Sequence, residues 1–124
     1  MYGSQGDGTG RALDAASPPL AHAAALGFLS DFTLLNSAMA NHVSTHSLRF
    51  SVSLDHALHV HAPSDIDASK PMLFECDSPW AADGRALVRG RLWGIDSGKL
   101  LASVVQEGVL RVESFGGARP VSRL

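Results

Sequence analysis

The chain has 124 residues, room for one domain with a modest core, and 45% of them are hydrophobic against 18% charged. Ten basic against twelve acidic residues give a formal net charge of −2, which excludes the basic field of a nucleic-acid binder and the polybasic face of a membrane-surface helix. No apolar run approaches the roughly 20 residues that span a bilayer, and Met1–Gly10 carries no charged-then-apolar secretory signal.

Residues 1–16 are rich in Gly, Ser, Asp and Ala and read as a flexible N-terminal arm. Ser17-Pro18-Pro19 offers a capping hydroxyl followed by prolines that a first helical turn tolerates. From Leu20 to about Ala40 the spacing predicts one long helix. Leu20, Ala24, Gly27, Phe28, Leu34, Leu35 and Ala38 share a face at 100° per residue, and Asp31 falls in the middle of it. Next, Leu48, Phe50, Val52, Leu54, Leu58 and Val60 alternate with Ser47, Arg49, Ser51, Ser53, Asp55, His59 and His61. That pattern predicts a strand whose apolar side is covered and whose serine side is wetter. Three further strands, at about 72–80, 85–94 and 100–112, are separated by Asp83-Gly84 and Asp96-Ser97-Gly98, so they form an antiparallel meander. The only cysteine, Cys76, allows no intramolecular disulfide, fits a reducing compartment and reads as a small strand hydrophobe. A domain over 17–114 is followed by a loose tail, 115–124. The tail ends in Ser122-Arg123-Leu124, close to the Ser-Lys-Leu address read by the peroxisomal import receptor, which predicts the peroxisomal matrix as location.

Five segments together carry a family resemblance. They are Leu29-Ser30-Asp31-Phe32; Ser53-Leu54-Asp55-His56-Ala57-Leu58 running on to His61-Ala62-Pro63; Glu75-Cys76-Asp77-Ser78-Pro79-Trp80-Ala81; Val88-Arg89-Gly90-Arg91-Leu92-Trp93; and Val105-Gln106-Glu107-Gly108-Val109-Leu110-Arg111. In this order and spacing, from about residue 20 to 113, the chain resembles the type II acyl-CoA thioesterases, both bacterial thioesterase II and the peroxisomal enzymes. The resemblance implies an α+β hotdog fold, a curled antiparallel sheet around a long central helix. It also implies two hotdogs per chain, with catalytic Asp, Ser or Thr, and Gln supplied by the C-terminal one. Residue by residue, these fall on Asp31, Ser53 and Gln106. The edge strand that should precede the helix has no counterpart in the pattern of residues 1–16.

The physics of the three residues is uneven. A carboxylate on an apolar helix face is costly unless something uses or hydrogen-bonds it, and burial raises a carboxyl's pKa and makes it a better base. The plainer alternative is that Ser30 or Asp31 caps a second short helix. Gln106 is in register with Ala102, Val104, Leu110 and Val112, so its amide should face an apolar layer. There it could hold a water by donating and accepting, or be a satisfied core glutamine. Ser53 falls on the wetter face, where it could not reach Asp31 without a bulge or strong twist, or a helix from another subunit.

Other constellations are weaker. Of His56, His59 and His61 only the last two share a strand face, and no Cys or carboxylate completes a metal site. A triad of Ser53, His56 and Asp55 would need adjacent strand residues to converge. No Gly-x-Ser-x-Gly elbow exists, and the glycines of Gly3–Gly10 follow no strand. Trp80 and Trp93 read as core or interface aromatics. Arg89 and Arg91 read as a solvated strand face, with CoA phosphates as the alternative.

The expected activity is hydrolysis of acyl-CoA by a water that Asp31, Ser53 and Gln106 position and deprotonate, with no cofactor. Two rivals remain: a hotdog hydratase or dehydratase built on an Asp/His pair, and an incomplete half that binds acyl-CoA or joins a complete enzyme. One helix and four strands leave sheet edges and an apolar layer uncovered, which predicts a homodimer.

Overall fold

A computed structural model describes residues 12–42 and 48–112. Most of the expected arm, Ser47, the expected tail and Ser122-Arg123-Leu124 lie outside the described residues. In chain order come α1 (Pro19–Phe32), α2 (Asn36–His42), β1 (Leu48–Ser53), β2 (Ala57–Val60), a single 3-10 turn at Pro63–Asp65, β3 (Met72–Ala82), β4 (Arg85–Gly94) and β5 (Leu100–Val112). The strands form one antiparallel sheet in the order β1-β5-β4-β3, and β2 also pairs with β5. Helices against one face of this curled sheet make the expected α+β hotdog arrangement.

The meander follows from its turn chemistry. β3 and β4 are joined by Asp83-Gly84, both at positive φ (53° and 72°), as a two-residue type I′ hairpin requires. Along β4 and β5 the inward residues alternate as the sequence predicts: Ala86, Val88, Gly90 and Leu92 on one, Ala102, Val104, Gln106, Gly108 and Leu110 on the other.

The helix differs from expectation. It breaks at Thr33–Leu35, where tight bonds to residues three back (Asn36 N to Thr33 O, 3.1 Å; Ser37 N to Leu34 O, 3.1 Å) replace α-helical ones. This turn changes the phase, so a single face drawn through residues 20–40 does not exist. α2 and the turn bury Leu34, Leu35 and Ala38 against Ala86, Val88, Val104 and Leu110. α1 instead buries His22, Ala25, Leu26 and Ser30, and leaves Leu20 80% and Phe28 53% exposed. Ser17 does not cap α1. Its hydroxyl turns back to the Asp14 carboxylate (3.2 Å), and Pro18 occupies the cap position with no side-chain hydrogen bond.

By length and composition the 24 residues Pro19–His42 are apolar enough to cross a membrane, contrary to the reading that no run comes close. The break at Thr33–Leu35 and the burial of Leu26, Leu34, Leu35 and Ala38 on the sheet are what a core helix pair requires.

The first expected strand is also altered, in a way that decides the site. Leu48 pairs with Val112 and packs toward the core. The pairing then slips by one residue before Phe50, which meets Arg111, so Ser51 and Ser53 turn to the core face opposite Leu110 and Gly108. Between Ser53 and Ala57 the chain advances four residues while β5 advances three, from Gly108 to Val105, and the second slip returns Leu58 to the core face, whereas Val60, expected to be covered, stays exposed at the end of the strand. Phe50, Val52 and Leu54, expected to be covered, are consequently exposed.

Candidate active site

Gln106 sits at the centre of β5, opposite Val88 of β4, with none of its surface exposed. Two residues on, Gly108 lies beneath the break between the helices. A Cβ there would stand 2.5 Å from Leu35 Cδ1, so with any other residue the Leu35 side chain would have to shift from its seat on the strand. The last turn of α1, carrying Asp31, is thereby held over Gln106. From the other side, the first slip of β1 turns the Ser53 hydroxyl toward the same amide, although the residue itself stays exposed, as its place on the wetter face suggested.

The three side chains meet. Gln106 Nε2 donates to Asp31 Oδ1 at 2.6 Å and to Ser53 Oγ at 2.5 Å. A carboxylate accepts only, so the amide nitrogen must face Asp31 and the carbonyl must face the other way. That carbonyl, Gln106 Oε1, is buried and takes no hydrogen bond among the described residues. An orphaned buried acceptor costs about 1–3 kcal/mol and calls for an explanation. With both amide protons of Gln106 committed, the Ser53 hydroxyl keeps its own proton to donate elsewhere.

One premise fails. Asp31 was expected inside an apolar layer, yet its side chain is 54% exposed, because the face that carries it is not the face α1 buries.

A second layer surrounds the trio. Asp55 accepts the Glu107 backbone N–H at 2.7 Å, while Leu54 N donates to Glu107 O at 2.8 Å. The Asp55 carboxylate therefore replaces a ladder acceptor where β1 gives way to β2. The adjacent His56 points at α1: its Nε2 is 2.9 Å from Ser30 Oγ and its Nδ1 is 3.7 Å from Asp31 Oδ1.

The same residues lie within a wider likeness to known proteins. The family profile for acyl-CoA thioesterase matches residues 13–109. The chain belongs to the acyl-CoA thioesterase family. Human acyl-coenzyme A thioesterase 8 is 45% identical over 92 residues, covering 74% of this chain and 28% of the relative. The rat protein of the same name is 44% identical over 90 residues, 73% of this chain and 27% of the relative. Among solved structures, acyl-CoA thioesterase II TesB2 from Mycobacterium marinum superposes with a TM-score of 0.73 at 36% identity, over 89% of this chain and 42% of that one. The thioesterase-family chain thus spans little more than a quarter of the length of the curated relatives it matches.

Away from the trio, this family member uses its other singled-out residues structurally. Arg89 pairs with Asp77 (2.6 Å) and Arg91 with Glu75 (2.9 Å) across the outer face, and Trp93 Nε1 also donates to Glu75 (3.2 Å). The Arg91 hydrogen bonds, and then that of Trp93, hold the Glu75 carboxyl below the usual range, and Glu75 in turn holds Arg91 above its own. Burial, followed by the charges of Asp77 and Glu75, pushes the Cys76 thiol up, as fits a packing residue. His61 bonds Ser103 Oγ (2.8 Å), so His56 and His61 serve different partners. Sequence reasoning missed the Ser30–His56 contact. Its only signal was a serine and a histidine next to two aspartates, 26 residues apart.

Proposed function

We propose that the chain is an acyl-CoA thioesterase module that hydrolyses fatty acyl-CoA to fatty acid and CoA. The water attacks the thioester carbonyl carbon as Asp31 takes its proton, the C–S bond breaks, and the leaving thiolate takes that proton back from Asp31 to depart as the thiol. Ser53 holds the water, and Gln106 fixes both the Ser53 hydroxyl and the Asp31 oxygen that receives the proton. A backbone N–H near the helix would steady the oxyanion. The observation that carries this reading is the Gln106 amide, which reaches both Asp31 and Ser53 while its buried carbonyl is left without a donor. The Ser53 hydroxyl, its own proton free and its oxygen beside the same amide, would hold a water next to the half-exposed Asp31 carboxylate. The names of the relatives support the substrate class.

The test is CoA release from a fatty acyl-CoA. Asp31→Asn should lower turnover by about 10²-fold or more with folding intact, and Gln106→Ala should lose turnover less than additively with it. Wild-type turnover in Asp31→Asn would remove Asp31 as the base.

The exposed apolar face of α1, the exposed outer residues of β1 and the half-open Asp31 support pairing with a second copy, in which the acyl chain and the carboxylate would be shielded from water. A monomer without activity would instead favour the incomplete-half reading.

A further inference from the structure

Ser30 has no exposed surface, and its hydroxyl donates to Gly27 O at 2.8 Å. A hydroxyl has one proton, so at the 2.9 Å contact with His56 the ring must be the donor and Nε2 must carry the hydrogen. In the neutral ring this leaves Nδ1 bare. Nδ1 faces Asp31 Oδ1 at 3.7 Å, and that is the oxygen Gln106 Nε2 holds at 2.6 Å. Nδ1 therefore lies near an oxygen that already accepts from Gln106 and has a lone pair left, and a proton taken up by that oxygen has Nδ1 as its nearest further acceptor. The neighbouring carboxylate does not compete, since Asp55 is engaged with the Glu107 N–H. The same anchor fixes the backbone at the break between β1 and β2 and so aims the His56 ring.

We propose that His56 is a positioning residue for Asp31, held by Ser30, and the group to which Asp31 passes the proton taken from the attacking water. As the water oxygen bonds to the thioester carbon, its O–H breaks and the proton goes to Asp31. It then moves to His56 Nδ1, giving an imidazolium with Nε2–H on Ser30 and Nδ1–H on the restored carboxylate. When the C–S bond breaks, the proton returns through Asp31 to the thiolate sulfur and the ring is neutral again. Ser30 keeps the acceptor nitrogen, not the donor, turned toward the carboxylate. This inference rests on Asp31 being the base, as proposed above.

The experiment measures kcat, KM and the thermal midpoint for His56→Ala, His56→Gln, Ser30→Ala, Asp31→Asn and the Asp31→Asn/His56→Ala pair, each in the assembly the full chain adopts. His56→Ala should lower kcat about tenfold with KM within about twofold. Gln at 56 can still donate to Ser30 but offers no basic nitrogen, so it should restore the midpoint and leave kcat low. In the Asp31→Asn background His56→Ala should add no further loss. If His56→Gln restores both kcat and midpoint, or if the losses add, His56 is only a tie between helix and strand and the proposal is overturned. Wild-type turnover in Asp31→Asn would overturn the base assignment itself. A readout independent of turnover is the long-range 1H–15N NMR spectrum of the His56 ring. A neutral ring protonated at Nε2, whose Nδ1 signal moves in Asp31→Asn, is the expected result. A ring protonated at Nδ1 would overturn the acceptor role.

Discussion

Gln106 is the residue where the role proposed for it and stability pull apart. Its buried Oε1 has no partner among the described residues, and its two donors go to side chains that could turn to water. Gln106→Met keeps the volume and removes the orphan, so unfolding should need about 1 kcal/mol more, or at least no less, while turnover is lost. A clear fall in the denaturation midpoint would show that the amide is a satisfied core group. Glu75 sets a different expectation. Its folded-state carboxyl is held below the ordinary value of 4.5 by Arg91 and then Trp93, and Asp67 below 3.8 chiefly by Ser69. The unfolded chain therefore binds protons more readily than the folded one. Stability from these groups is present above about pH 4.5 and is lost as pH falls through the lowered values. Glu75→Gln should flatten the acid side of the midpoint-versus-pH curve, and an unchanged curve would mean the outer-face pairing adds nothing.

At the level of elements, the site depends on two one-residue slips in β1 and β2 and one close approach of helix to strand. Gly108 gives way to Leu35, whereas a methyl group at Gly27 would enter open space, with nothing within 4 Å. The same substitution should therefore act with opposite sign at the two positions. Gly108→Ala pushes Leu35 and the helix break away from Gln106, costing about 1–3 kcal/mol and lowering kcat through Asp31. Gly27→Ala, in the interior of α1, should stabilise by about 0.5–1 kcal/mol. Chemical denaturation of the pair checks this, and a neutral Gly108→Ala would mean the break is not seated there.

For the whole molecule, Leu20, Phe28 and Phe32 on α1 and Phe50, Val52 and Leu54 along and just after β1 form apolar surface that one copy leaves open. Phe28 and Phe32 stack with centroids 5.8 Å apart, a ready-made aromatic surface for a partner. A homodimer at micromolar concentration, with turnover that falls on dilution, is the expected outcome of sedimentation and assay together. A well-folded, fully active monomer would contradict it.

The sequence by itself determined the elements whose residues answer to a local period. β4 and β5 begin and end where the alternation says, Asp83-Gly84 turns the hairpin, and Gln106 is inward because its register partners Ala102, Val104 and Leu110 are. The ordered motifs also carried the family, and pointed to Asp31, Ser53 and Gln106. Tertiary structure decided the rest. Strict alternation turns Ser53 away from the helix, and only pairing with β5, which accepts an extra residue near Arg49 and another before Ala57, turns it back. A hydrophobic period drawn through residues 20–40 averages two helices whose phases differ, so it misplaces Leu20 and Phe28. Neither slip nor break has a local signature, since both follow from how β5 and Gly108 accommodate what packs against them. The Ser30–His56 contact belongs to the same class: it joins a helix to a strand break, and no period runs between them.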